Sequence, residues 1–127
     1  MSYRVLVVDD SEIVRNIIKK AINMSGVEIQ TIFEACNGKE ALAVLDKEWI
    51  DIVFTDLNMP EMTGFELVEN MKNGDLLSDI PVVVVSSEQS TLKIEELLSS
   101  GVREYIKKPF RPEIFRDIFS RLLGGKK

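Results

Sequence analysis

The chain has 127 residues, of which 16 are basic and 21 acidic, for a net charge of −5. It holds no histidine and a single cysteine, Cys36, which excludes within this chain Ser-His-Asp and Cys-His catalysis, His-ligated zinc or haem, a CxxC redox pair and an internal disulfide. The acidic balance argues against unaided nucleic-acid binding, and a hydrophobic content of 45% argues against general disorder.

Periodicity along the chain alternates between two types. Arg4 to Val8 is a short aliphatic run, as expected of a central parallel strand buried on both faces. Ser11 then caps a helix whose Ile13, Val14, Ile17, Ile18, Ala21 and Ile22 form one apolar stripe, stopped at Gly26. Val27 to Glu34 is more polar and reads as an edge strand. Asn37 and Glu40 have capping-box spacing before a helix with Ala41, Leu42 and Leu45. Asp51 to Thr55 is a third strand. Thr63-Gly64-Phe65-Glu66 opens a helix with Leu67, Val68 and Met71, broken at Asn73-Gly74-Asp75.

Pro81 leads into the fourth strand, Val82 to Val85. Ser90 caps a helix with Ile94, Leu97 and Leu98, ended by Gly101, and Glu104 to Lys107 is a short fifth strand. Pro112 suits the first position of a last helix, where its missing N–H is an orphan anyway. Ile114, Phe115, Ile118, Phe119, Leu122 and Leu123 give that helix a clean stripe. Strict alternation of five strands and five helices predicts an α/β fold, a (βα)₅ three-layer sandwich around a five-stranded parallel sheet. Size scaling gives a folded accessible area of ~6,800 Å² against ~20,900 Å² unfolded, a core for one domain. One domain over 1–124 is expected, with 125–127 as a short tail and no output domain. No run approaches the ~20 apolar residues of a membrane span, and Met1-Ser2-Tyr3-Arg4 has no signal-peptide pattern. A cytoplasmic location is expected.

Open parallel sheets bind ligands beyond the carboxyl ends of their strands, where strand order reverses. Asp9 and Asp10 follow the first strand, Asp56 the third, Ser86 the fourth and Lys108 the fifth. If the first and third strands are neighbours, three carboxylates converge. They would raise one another's pKa unless a cation is present, and a hard divalent ion such as magnesium is the natural remedy. A hydroxyl and a lysine opposite would hold phosphate oxygens, an arrangement suited to phosphoryl transfer with a carboxylate as nucleophile. Taken singly, each has a plainer reading: Asp9-Asp10-Ser11 as an N-cap cluster, Asp56 and Ser86 as turn residues, Lys108 as a solvated lysine.

Four segments together resemble the receiver domain of response regulators over residues 4 to 123: Val7-Val8-Asp9-Asp10-Ser11, Asp56 through Gly64, Pro81 through Ser86, and Tyr105-Ile106-Lys107-Lys108-Pro109-Phe110. The resemblance implies the flavodoxin-like strand order 2-1-3-4-5. It implies Asp56 as phosphoacceptor. It implies magnesium, or manganese as a substitute, on Asp9, Asp10, Asp56 and the backbone carbonyl of Asn58. Ser86 and Lys108 would contact phosphoryl oxygens, Tyr105 would be the aromatic switch coupled to Ser86, and Lys108-Pro109 would be a cis peptide. Asn58 and Glu88, two residues after Asp56 and Ser86, would tune phosphoryl lifetime and meet a phosphatase, an Asn/Glu pairing like that of stand-alone chemotaxis regulators. Thr63 stands where Asp or Asn is more usual in the family and keeps the capping hydroxyl. Ser86 replaces the more common Thr, and Ser87 a small apolar residue.

The function expected is that of a single-domain response regulator in two-component signalling. A sensor histidine kinase would donate the phosphoryl group, and a target would bind the face of the fourth helix, fifth strand and fifth helix. Neither nucleic acid nor membrane is expected as a direct partner, and a monomer is expected. With no histidine, the chain cannot be its own phosphohistidine donor. A phosphorelay intermediate, a degenerate receiver serving as an interaction module and a flavodoxin-like cofactor binder are the alternatives. The last is opposed by the absence of GxGxxG and GxxxxGK[ST], and the degenerate module by the complete set of site residues.

Overall fold

Val5, Leu6, Val7 and Val8 have no exposed surface, because the first strand, β1 (Tyr3–Val8), lies inside the sheet and is covered on both faces. The computed structural model describes residues 2–57, 59, 61–76, 79–87 and 89–124. In chain order these form β1, α1 (Glu12–Met24), β2 (Ile29–Ala35), α2 (Gly38–Lys47), β3 (Ile52–Thr55), α3 (Gly64–Asn73), β4 (Val82–Ser86), α4 (Thr91–Ser99), β5 (Glu104–Lys107) and α5 (Pro112–Leu122). The sheet is parallel, in the order β2-β1-β3-β4-β5. The accessible area is 6986 Å², close to the scaling expectation. None of the described helices is long and apolar enough to cross a membrane.

Side chains alternate across the strands and so feed two cores. Val5, Val7, Ile52, Phe54, Val83 and Val85 face α1 and α5, meeting Ile18, Ile22, Phe115 and Phe119. Leu6, Val8, Val53, Val82 and Val84 face the other way, toward Ala41, Leu67, Met71 and Leu97 of α2, α3 and α4. Phe115 centres the first core, edge-on to Phe54 at 5.2 Å and to Phe110 at 5.1 Å between ring centroids. Such pairs add about 0.5–1.5 kcal/mol beyond burial.

The helix ends follow the sequence. Ser11, Asn37, Thr63 and Ser90 each cap the backbone N–H three residues on. Thr63 and Glu66 close a full capping box. The Asn37–Glu40 box does not close as its spacing suggests: Glu40 Oε1 accepts from the Cys36 N–H at 3.1 Å, one residue earlier. Gly26 and Gly101 take positive φ at the ends of α1 and α4, where a side chain would be strained. The α1 stripe is narrower than its pattern. Ile18, Ala21 and Ile22 are buried, whereas Ile13 and Ile17 are 73% and 52% exposed. A stripe at i, i+1, i+4, i+5 spans more arc than one sheet face covers. In α4, Leu97 takes the inward position and Leu98 is 45% exposed.

Candidate functional site

The order of the sheet reverses between β1 and β3, so their carboxyl ends open on one crevice. Val8 and Thr55 are register partners, and the Asp56 N–H donates to the Val8 carbonyl at 2.9 Å. That bond puts Asp56 beside the turn leaving β1. Carboxylate oxygens of Asp9, Asp10 and Asp56 lie within 4.8 Å of one another.

The three carboxylates have unequal surroundings. Asp9 continues the β1 ladder through its N–H to the Ala35 carbonyl at 3.0 Å, and its Oδ1 accepts from the Ser11 N–H at 2.9 Å. It is 2% exposed, while Asp10 faces solvent and Asp56 is half-buried. Asp9 Oδ2 is buried with no hydrogen-bond partner among the described residues. Burial pushes the Asp9 carboxyl above its ordinary range, opposed by the Ser11 N–H and Lys108 and reinforced by Asp56 and Asp10. Asp56 Oδ1 accepts from the Leu57 N–H at 2.8 Å.

The far wall comes from β4 and β5. Ser86 is 3% exposed, and its carbonyl accepts from the Lys108 N–H at 3.0 Å and from the Tyr105 hydroxyl at 3.2 Å. Lys108 Nζ stands 3.9 Å from Asp9 Oδ2. The Lys108-Pro109 peptide is cis. Tyr105 is half-buried against the Leu97 side of the core. Asp9, Asp10, Asp56, Ser86 and Lys108 therefore gather at one sheet edge, with Tyr105 behind Ser86. Asn58 and Glu88 lie outside the described residues.

Sequence reasoning missed a clamp behind the site. Arg15 Nη1 donates to the Asp9 carbonyl at 2.6 Å, and its Nε to Glu34 at 2.9 Å. Lys19 adds a 2.7 Å bond to Glu34, and with Arg15 holds that carboxyl below the usual range against its partial burial. The only available signal was a basic residue on the flank of the α1 stripe. Cys36 donates its thiol to Glu40 at 3.0 Å, which raises the thiol pKa, the reverse of an activated nucleophile.

The profile of the response regulator receiver domain family matches residues 5–120. The chain belongs to that family. It is 37% identical over 122 residues to a chemotaxis protein CheY homologue of Campylobacter jejuni, covering 95% of this chain and 92% of that one. It is 35% identical over 122 residues to chemotaxis protein CheY1 of Helicobacter pylori, covering 95% and 97%. The solved chemotaxis response regulator CheY4 of Vibrio cholerae superposes with a TM-score of 0.81 at 33% identity, over 97% of this chain and all of that one. This receiver domain is thus CheY-like in fold and in sequence. A receiver implies a histidine kinase upstream and targets downstream, and receivers typically use Mg²⁺. The acidic cluster and the buried Asp9 Oδ2, which accepts no hydrogen bond from the described residues, fit such an ion.

Proposed function

We propose that this chain is a single-domain response regulator that accepts a phosphoryl group on Asp56 and thereby switches the face built from α4, β5 and α5. The observation that carries the reading is the convergence of Asp9, Asp10 and Asp56 opposite Lys108 and Ser86. An Asp56 oxygen attacks the phosphorus of a kinase phosphohistidine. An O–P bond forms, the P–N bond breaks, and the imidazole leaves with its electron pair and takes a proton. Asp9, Asp10 and Asp56 would hold Mg²⁺, which when bound neutralises the charge of the transferring phosphoryl group. Lys108 and Ser86 bind phosphoryl oxygens, and water later attacks the phosphorus to release inorganic phosphate.

Transfer changes a carboxylate of −1 into a group of about −1.5 to −2. Ser86 meets the phosphoryl group through its hydroxyl and Tyr105 through its carbonyl, so a shift of Ser86 repositions the Tyr105 hydroxyl. So local a change requires a bistable face within a few kcal/mol of balance. The reading takes residues 1–124 as one unit, supported by the family match over residues 5–120. The names of the Campylobacter and Helicobacter relatives support a chemotaxis-like pathway. Incubation with Mg²⁺ and acetyl phosphate followed by intact-mass measurement tests the reading. A single phosphoryl adduct is expected, lost in Asp56→Asn. An adduct that persists in the variant overturns it.

A further inference from the structure

At the opposite edge of the sheet, where β1, β3 and β4 begin, lies a cavity of about 610 Å³. Small-ligand pockets run from about 300 to 1,000 Å³. Its apolar lining comes from Ile50, Leu76, Ile80 and Leu123, beside Trp49. Trp49 is 75% exposed, yet it is fixed at two points. Its carbonyl accepts from Arg4 Nε at 2.7 Å, and its indole N–H donates to Asp51 Oδ1 at 3.2 Å. An indole ordered this way and left in water is a preformed wall for an apolar or cationic group.

The charge at the rim selects the cation. Arg4 is engaged with Glu48 at 2.9 Å and with Trp49, and its guanidinium lies over Phe33 at 5.1 Å. Asp51 and Asp79 both line the cavity, and neither has an ion-pair partner among the described residues. Asp51 is held in place, its Oδ2 accepting from the Arg4 N–H at 2.9 Å and its Oδ1 from the Trp49 indole, which leaves Asp79 as the carboxylate open to a ligand. An exposed indole, an aliphatic floor and that carboxylate are the recognition elements for an ammonium group on an apolar body. We propose that this cavity is a binding site for a small organic cation of the aryl- or alkylammonium class. The site is separate from the Asp56 crevice and does not depend on phosphoryl transfer.

Trp49 is the sole tryptophan, so its emission reports on the cavity directly. The test titrates the full chain with 2-phenylethylammonium, 2-phenylethanol and 3-phenylpropionate, reading Trp49 fluorescence and the Ile50 and Ile80 amide signals. The ammonium is expected to give saturable changes in both, with weaker binding of the alcohol and none of the carboxylate. Asp79→Asn should weaken ammonium binding about threefold to fivefold, the scale of a partly screened ion pair, leaving phosphoryl acceptance at Asp56 unchanged. Equal affinity for ammonium and alcohol, no response to Asp79→Asn, or no saturable change would overturn the proposal.

Discussion

Lys108 Nζ stands 3.9 Å from Asp9 Oδ2, close enough to attract that oxygen and too far to hydrogen-bond it. Asp9 is therefore buried with one oxygen that accepts no hydrogen bond from the described residues. In the cation-free protein its raised pKa makes the folded state hold a proton that the unfolded chain releases near pH 3.8. Stability from this group is fully present below pH 3.8 and is lost as pH rises through the folded pKa. Asp9→Asn should thus stabilise the cation-free protein at neutral pH by ~1 kcal/mol, the low end for an unsatisfied buried polar group. The gain should vanish at acid pH, and Mg²⁺ should raise Tm in the parent and much less in the variant. Thermal melts across pH, with and without Mg²⁺, check this.

Gly64 opens α3 directly behind Asp56. A Cβ there would lie 2.6 Å from the Asp56 carbonyl oxygen and 3.1 Å from Leu57 Cα, both backbone atoms with little room to yield. Gly64→Ala should cost about 1–3 kcal/mol by overpacking. It should also displace Asp56 and slow adduct formation, since a misplacement of ~1 Å at a reacting group costs on the order of 10²-fold. Denaturant unfolding and time-resolved intact mass measure the two effects separately.

Phe115 is fully buried between Phe54 and Phe110. Phe115→Ala should cost about 3–5 kcal/mol, the range for a buried aromatic cut to alanine. Urea unfolding of the variant reads it.

The Tyr105–Ser86 bond predicts where a phosphoryl mimic is felt. Fluoroberyllate with Mg²⁺ should shift amide signals at Ser86 and Tyr105 as well as around Asp56, and Asp56→Asn should abolish both sets. Shifts confined to the loops around Asp56 would count against the switch.

The three central strands were legible because each is a short buried apolar run ended by turn chemistry, β2 because its polar residues mark an edge, and the caps because Ser11, Thr63 and Ser90 stand just before apolar periodicity. Strand order was not derivable from the residues and came with the family resemblance. The two acids of Asp9-Asp10 look equivalent in sequence. Only the ladder bond from the Asp9 N–H to Ala35 turns one inward and leaves the other in solvent. Ile13 and Ile17 look like core in a stripe whose arc is wider than the sheet covers. The Arg15–Glu34 clamp and the Trp49 cavity join residues from separate elements, a juxtaposition that no local pattern encodes.

The central claim is that Asp56 itself carries the phosphoryl group. An acyl phosphate is reduced by borohydride to the alcohol, which converts an aspartyl phosphate into homoserine. The protein is treated with acetyl phosphate and Mg²⁺, reduced with borohydride, digested and sequenced by mass spectrometry. Homoserine at position 56, dependent on both acetyl phosphate and Mg²⁺, is the predicted result. Homoserine at position 9 or 10 with Asp56 unmodified, or reduction at no aspartate, would contradict it.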